Sequence, residues 1–370
     1  MQKELADKLA GKIERLTNKT FKFDSRIKSG WYSAVYFIKT SEIVRKYRPD
    51  AIVTMQFFQR KNAILCGIDE VIALVHTFAQ NPETLVIEAL NDGDAIEPLE
   101  PVLKITGHYQ QFGFLEGLID GMLARRTSVA TNVFQTAKEA KPAPIFFMGD
   151  RDDHFLNQPG DGYSAFIGGA AAQATHAMNE WWGDKGVGTI PHALIQIFGG
   201  NLIKALEAYD ETYPNDPLVA LVDFNNDCVT DAVACARHFG KRLSAVRLDT
   251  SIALIDKYFD TIPPEQITCD PHGVNPMLVH AVRNALDKEG FQHVKIIVSS
   301  GFTVEKIKEF KAANAPVDSY GIGSSLIKVT VSFTGDLVKL DGQPLAKVGR
   351  KERFSNRLKP VKFVQSFIED

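Results

Sequence analysis

The sequence predicts an α/β protein: an irregular, TIM-like (β/α) barrel with an N-terminal α/β sandwich domain, to which a C-terminal β tail returns. Three observations carry this. Apolar runs at 144–148, 218–223, 245–249, 294–300 and 319–324 are nearly continuous, as strands buried on both faces are. Amphipathic stretches at 227–239, 275–288 and 303–313 fill the gaps between them. The rhythm is richer in strands before residue 110 and after 327. This many strand–helix units favours a barrel over an open sheet. The expected domains are therefore 1–110, 111–326 and 327–370.

In chain order, residues 1–48 hold lysine-rich helical pieces around an aromatic patch at 31–37, with a helix starting at Lys39 and ending before Pro49. Strands follow at 51–58, 85–90 and 101–107, and helical spacing of apolar residues at 68–78. A long helix runs over 112–123 and leads into Arg125-Arg126-Thr127-Ser128-Val129-Ala130-Thr131. Glu116 and Arg126, on that helix and at its end, read as surface or dimer-contact residues. The tail offers strands at 328–333, 337–340 and 345–348, with a hairpin turn at Asp341-Gly342.

Composition excludes several functions. The net charge of -3 lacks the basic excess that nucleic-acid or membrane-surface binding needs. No apolar run approaches the roughly 18–20 residues of a membrane span, and Met1–Asp7 lacks a signal peptide's apolar core, so the cytoplasm is expected. Cys66, Cys228, Cys235 and Cys269 form no C-x-x-C pair and read as small buried hydrophobes, with no protein metal site expected.

The organising stretch is Gly188-Thr189-Ile190-Pro191-His192-Ala193-Leu194. Thr189 reads as the cap, and Pro191-His192 as the first turn, of a helix running toward Gly199-Gly200, a place suited to an anion. Catalytic groups of a barrel come from strand C-termini and the loops after them. Asp223 ends one apolar run; Arg247 and Asp249, two apart, project from the same face of another. A buried charged pair is a poor stabiliser, which favours function over a structural salt bridge. Ser299, Gly301, Gly321, Gly323 and Ser324 lie in the last two strand–helix turns, where backbone amides cradle phosphate. In 149–154, Arg151 and His154 are candidates, whereas Asp152 and Asp153 read as solvated loop. The run Gly168–Ala172 is small enough for a ligand or a strand to lie close against it.

These pieces resemble the nicotinate phosphoribosyltransferases, in the group that includes quinolinate and nicotinamide phosphoribosyltransferases. The resemblance runs from about Val35 to Ser325 through Tyr36-Phe37-Ile38-Lys39-Thr40, Asp92-Gly93-Asp94, Ser128-Val129-Ala130-Thr131, Gly168-Gly169-Ala170, Gly188–Leu194, Arg247-Leu248-Asp249-Thr250 and Gly321-Ile322-Gly323-Ser324-Ser325. It implies a homodimer or higher multiple with shared active sites, joining nicotinate to 5-phosphoribosyl 1-pyrophosphate (PRPP) in NAD biosynthesis, with Mg²⁺ and coupled ATP hydrolysis. It implies phosphate transfer from ATP to His192, pairing of Arg247 with the nicotinate carboxylate, and ribose 5-phosphate in the last two glycine loops; carboxylates such as Asp249 and Asp223 near the ribose suit catalysis by binding its hydroxyls or Mg²⁺ and favouring its positive charge. Tyr36, Arg151 and Thr189 join the substrate contacts. Asp152 stands where related sequences often carry a second arginine, and no cysteine-rich knuckle ends the chain. The Gly168–Gln173 run lacks the basic cluster suited to quinolinate's two carboxylates. The competing readings are a nicotinamide phosphoribosyltransferase and a non-catalytic phosphate-binding barrel; a Schiff-base lyase ranks last, because no lysine ends an apolar barrel strand.

Overall fold

The computed structural model describes residues 3–365; Met1, Gln2 and 366–370, the ends of the two terminal segments assigned above, lie outside the described residues. The chain runs α1 (Lys3–Leu9), α2 (Val35–Tyr47), β1 (Ile52–Phe58), β2 (Ala63–Ile64), α3 (Ile68–Phe78), β3 (Val86–Ala89), β4 (Ala95–Ile96), β5 (Pro101–His108), α4 (Tyr109–Phe112) and α5 (Glu116–Ala140). It continues through β6 (Ile145–Phe147), α6 (Gln158–Gly168), β7 (Ala172–Gln173), α7 (His192–Ile197), α8 (Leu202–Thr212), β8 (Leu218–Leu221) and α9 (Cys228–Phe239). Then come β9 (Leu243–Leu248), α10 (Pro276–Lys288), β10 (Lys295–Val298), α11 (Val304–Ala312), β11 (Ser319–Ile322), β12 (Thr334–Leu340), β13 (Gln343–Pro344) and β14 (Lys359–Pro360).

Two six-stranded sheets organise these elements. The first, in order β13-β12-β1-β5-β3-β14, is antiparallel where its strands pair, and the tail enters it twice. Met55 of β1 faces Leu337 of β12 and Ile105 of β5, and β14 pairs with β3. Helix α3 is buried along nearly its whole length, including Asp69 and Glu70. Both carboxylates are paired, as burial requires. Asp69 takes Lys8, Arg15 and the Leu16 amide, and Glu70 takes Arg126 at 2.8 Å.

The second sheet, in order β7-β6-β11-β10-β9-β8, is parallel throughout. Its outer strands β7 and β8 do not pair with each other, so the barrel is irregular and open along one side. Its apolar core joins β6 and β8–β11 to the inner faces of α8–α11. Polar N-caps start three of the helices that follow strands: Asp227 for α9, Asn275 for α10 and Thr303 for α11 each accept a backbone amide. All C-terminal strand ends therefore open on one rim, as parallel strands demand. No helix among the described residues is long and apolar enough to cross a membrane.

Several local expectations are corrected. The helix expected to begin at Lys39 begins at Val35. The helix expected at 112–123 is α5, which continues to Ala140. Its hydroxyl-rich stretch faces inward: Thr131 and Thr127 accept the Ile64 and Cys66 amides, and Ser128 accepts those of Thr330 and Val331. That side-chain pairing replaces the strand expected at 328–333. Neither Glu116 nor Arg126 is a free surface group; the Arg126 guanidinium lies between Glu70 and Asp161 and over the Trp181 ring. Gly168 makes room for helix α5: a Cβ there would stand 2.6 Å from the Ala130 carbonyl.

Candidate active site

Six of the expected side chains meet where β8, β9 and β10 end. Asp223 lies just beyond β8, Arg247 and Asp249 at the end of β9, and Ser299 after β10. His192 Nε2 lies 3.0 Å from Asp223 Oδ2. Arg247 donates through NH1 to the Thr189 hydroxyl at 2.9 Å and through NH2 to Asp249 Oδ2 at 3.3 Å. Ser299 Oγ donates to Asp249 Oδ1 at 2.6 Å. The strand period places Arg247 and Asp249 on one face, and the parallel register of β9 with β10 brings Ser299 alongside them.

Two polar atoms in this cluster are buried and have no hydrogen-bond partner among the described residues: Arg247 Nε and Asp223 Oδ1. Orphaned buried donors and acceptors are costly, and a bound ligand that supplied the complements would satisfy both. Burial pushes the Asp223 carboxyl above its ordinary range; the His192 contact opposes that shift and the Asp249 charge adds to it. His192 keeps 43% of its side chain exposed, whereas Asp223 keeps 8%. The imidazole thus stands at the mouth with its carboxylate beneath it.

The expected capping role of Thr189 is not realised. Helix α7 has only six residues, Pro191 is its N-cap without a side-chain bond, and the Thr189 hydroxyl is the acceptor for Arg247. The loop that precedes His192 therefore orients the guanidinium and leaves the helix start uncapped.

The glycine loops lie next to this cluster. A Cβ on Gly321 would meet Met148 Sδ at 2.8 Å and Ser299 Cβ at 3.3 Å. A Cβ on Gly323 would stand 2.6 Å from the Met148 carbonyl and 2.8 Å from Asp152 Oδ2. Ser300 and Gly301 both take left-handed φ, 76° and 70°, and Ser324 is exposed. The close fit at Gly323 brings the loop after β6 against the last turn. Asp152 and Asp153 are therefore not simply solvated: Asp152 packs at Gly323, and Asp153 pairs with Arg125 at 2.5 Å.

A family model described as the N-terminal domain of quinolinate phosphoribosyl transferase matches residues 34–127. A crystal structure of nicotinate-nucleotide pyrophosphorylase from Pyrococcus furiosus is 32% identical, with a TM-score of 0.77, over 90% of this chain and 81% of that one. The chain belongs to the nicotinate and quinolinate phosphoribosyltransferase family. A nicotinate phosphoribosyltransferase of Mycobacterium tuberculosis is 25% identical over 270 residues, 70% of this chain and 55% of that protein. This chain thus spans about half the length of that curated relative. A crystal structure of human nicotinic acid phosphoribosyltransferase shares the fold, with a TM-score of 0.65 at 16% identity over 87% of this chain and 77% of that one.

Two residues expected among the substrate contacts, Tyr36 and Arg151, make no hydrogen bond to the cluster among the described residues. Tyr36 lies on α2 against Phe37, is 64% exposed, and belongs to the half of the molecule built on the antiparallel sheet. Arg151 is exposed in the loop after β6 and makes no hydrogen bond or ion pair among the described residues. His154 stacks on Phe155, and its Nδ1 accepts the Leu156 amide, so it serves its own turn. Sequence reasoning missed the Arg125–Asp153 pair that ties Arg151's loop to α5. No local signal marks it, because the partners are 28 residues apart in the chain.

Proposed function

We propose that this chain is a nicotinate phosphoribosyltransferase that joins nicotinate to PRPP, giving nicotinate mononucleotide and pyrophosphate, with ATP hydrolysis coupled through His192. The observation that carries the reading is Arg247, a mostly buried guanidinium whose Nε has no acceptor among the described residues. A planar carboxylate on an aromatic ring supplies acceptors in the geometry a guanidinium prefers, and a neutral amide supplies fewer. The names of the relatives support the same class of reaction.

In the reaction, the pyridine nitrogen attacks C1 of the ribose as the C1–pyrophosphate bond breaks, and the electron pair leaves with pyrophosphate. Positive charge grows on the ring as in other oxocarbenium-like transition states. Asp249, held by Ser299 on one oxygen and Arg247 on the other, keeps an oriented negative charge beside that position. Asp223 Oδ1 remains open to a sugar hydroxyl or a cation. Mg²⁺ is commonly held by one or two carboxylates together with substrate phosphates and water. Asp223 and Asp249 fit that role, and no larger cluster of metal-ligating side chains occurs among the described residues. When bound, the ion would screen the charge on the leaving pyrophosphate.

With Asp223 ionised, the contact at Nε2 would be donated by an N–H, which would leave the lone pair on Nδ1. Nδ1 then takes the γ-phosphoryl group of ATP as ADP leaves, and Asp223 stabilises the resulting cationic ring. Water later cleaves the N–P bond, releasing inorganic phosphate. Trp31, just before α2, and Val35 and Tyr36 on it are exposed apolar side chains that a second copy of the chain could cover, in keeping with a homodimer with shared sites.

The test is a product assay with PRPP and Mg²⁺ and with nicotinate, nicotinamide or quinolinate, each with and without ATP. Turnover of nicotinate that rises with ATP, and loses that rise in His192→Ala, is the expected result. Turnover of nicotinamide instead would overturn the role of Arg247. No turnover of any base, with PRPP still bound, would favour the non-catalytic barrel.

A further inference from the structure

A half-buried cation outside the cluster remains unexplained by the chemistry above. Lys306 lies in the first turn of α11, and no carboxylate is within ion-pair distance of it among the described residues. Its Nζ donates to the Ser300 carbonyl at 3.3 Å and lies 4.6 Å from the centre of the Phe302 ring and 6.0 Å from that of Phe310. Phe302 is itself fixed by edge contacts with Phe310 and Tyr320. The ammonium is thus seated on a packed aromatic floor and reaches back to the turn between β10 and α11.

That turn needs support. Ser300 has a side chain yet takes φ 76°, which disfavours it relative to glycine, and Gly301 follows at φ 70°. Two carbonyls of the turn are gripped from outside it: Ser300 by Lys306, and Phe302 by the Ser325 hydroxyl at 2.9 Å. In a trans peptide the carbonyl and the next amide point in opposite directions. Holding the Ser300 and Phe302 carbonyls therefore aims the Gly301 and Thr303 amides the other way, and neither amide has a protein acceptor among the described residues. Gly301 is exposed, and nothing lies within 4 Å of where its Cβ would be, so an anion has room to approach.

We propose that Lys306 is a positioning residue for the phosphate monoester of the ribosyl substrate: it pins the Ser300 carbonyl so that the Gly301 amide is presented to the phosphate, and adds a positive charge behind the turn. This inference rests on the assignment of the 299–302 turn to the sugar phosphate. Burial lowers the lysine's pKa, and the Glu309 charge on the same helix opposes that. Ser325 acts from the neighbouring loop on the same turn, so the two glycine loops are held as one unit.

The experiment compares the wild-type chain with Lys306→Met, which keeps length and aromatic packing but removes the donor and the charge, and Lys306→Arg, which keeps both. Steady-state kinetics would give kcat and the KM values for PRPP and nicotinate. Calorimetry with ribose 5-phosphate would read the phosphate site without turnover, and thermal melting would compare folding. The expected result is a roughly tenfold rise in the PRPP KM and a similar loss of ribose 5-phosphate affinity in Lys306→Met, with recovery in Lys306→Arg and little change in nicotinate KM. An unchanged ribose 5-phosphate affinity in Lys306→Met overturns the inference, as does a loss confined to kcat. If Lys306→Met melts early, Lys306→Gln and Lys306→Arg decide the question by the same affinity measurement. Wild-type protein that binds ribose 5-phosphate but turns over no pyridine base would defeat the proposed activity and leave the Lys306 comparison intact.

Discussion

His192 Nε2 and Asp223 Oδ2 lie 3.0 Å apart although 31 residues separate them in the chain. The imidazole is half exposed and the carboxylate almost fully covered, so the pair has a wet end and a dry end. The dry end fixes ring orientation, and on the proposed chemistry the imidazole's other nitrogen, Nδ1, would meet the phosphoryl donor. Asp223→Asn keeps the shape and removes the charge. A hydrogen bond to a charged group contributes about 1.5–3 kcal/mol, so phosphate incorporation from radiolabelled ATP should fall roughly 10- to 100-fold. In the background of His192→Ala, the same substitution should have no further effect on ATP stimulation. Full labelling of Asp223→Asn would disprove the orienting role.

Arg247 is anchored at both terminal nitrogens, by Thr189 and Asp249, while Nε remains open. Lysine cannot reproduce this fork, so Arg247→Lys should behave as a severe change. The nicotinate KM should rise roughly 10- to 100-fold, the range of a lost charge-assisted pair, with the PRPP KM little altered. Thr189→Val should move the same parameter by a smaller factor, because it removes one anchor and leaves the guanidinium in place. Equal losses for nicotinate and nicotinamide in Arg247→Lys would show that the arginine does not read the carboxylate.

Gly323 and Gly301 answer a different question, since one is limited by space and the other by backbone angle. A methyl group on Gly323 would collide with the Met148 carbonyl at 2.6 Å, forcing the last loop away from the loop after β6. Gly301 has open space but φ 70°, where an alanine costs about 1 kcal/mol, roughly fivefold in binding. Gly323→Ala should therefore raise the PRPP KM well beyond the effect of Gly301→Ala. Ribose 5-phosphate titrations of both variants would check the order, and the reverse order would mean that the Gly323 loop does not touch the phosphate.

The barrel and much of its rim were legible in the sequence because their signals are local. The apolar period of α3 marks Ile68–Phe78 without ambiguity, and the alternation at Arg247 and Asp249 places both on one strand face. What stayed hidden depends on partners distant in sequence. The Thr189 hydroxyl looks like a cap until Arg247, 58 residues away, takes it. The second half of α5 was unreadable because its hydroxyls interrupt the apolar period, and only the distant Val331 and Ile64 amides explain them. Strand β7 spans two residues, too few for any period to show.

Glu116 gives the protein a pH dependence separate from its chemistry. It begins α5 in a cavity of about 600 Å³ between α2 and the sheet, near Asp120 and Asp336. Burial, then the charges of Asp120 and Asp336, raises its pKa from 4.5 to about 8. Below pH 4.5 the side chain is neutral in both folded and unfolded chains and contributes no pH dependence. Between 4.5 and about 8 the unfolded chain releases the proton while the folded chain retains it, so stability falls as pH rises; above about 8 the loss levels off. Glu116→Gln is neutral throughout and should escape this loss. Its melting temperature should match that of the wild type near pH 4.5 and exceed it progressively up to pH 8, the difference then staying constant. Partial exposure of the carboxyl limits the size of the effect but not its sign. Thermal melts of the two proteins across that range would check it, and parallel curves would mean that Glu116 ionises in the folded protein as readily as in water.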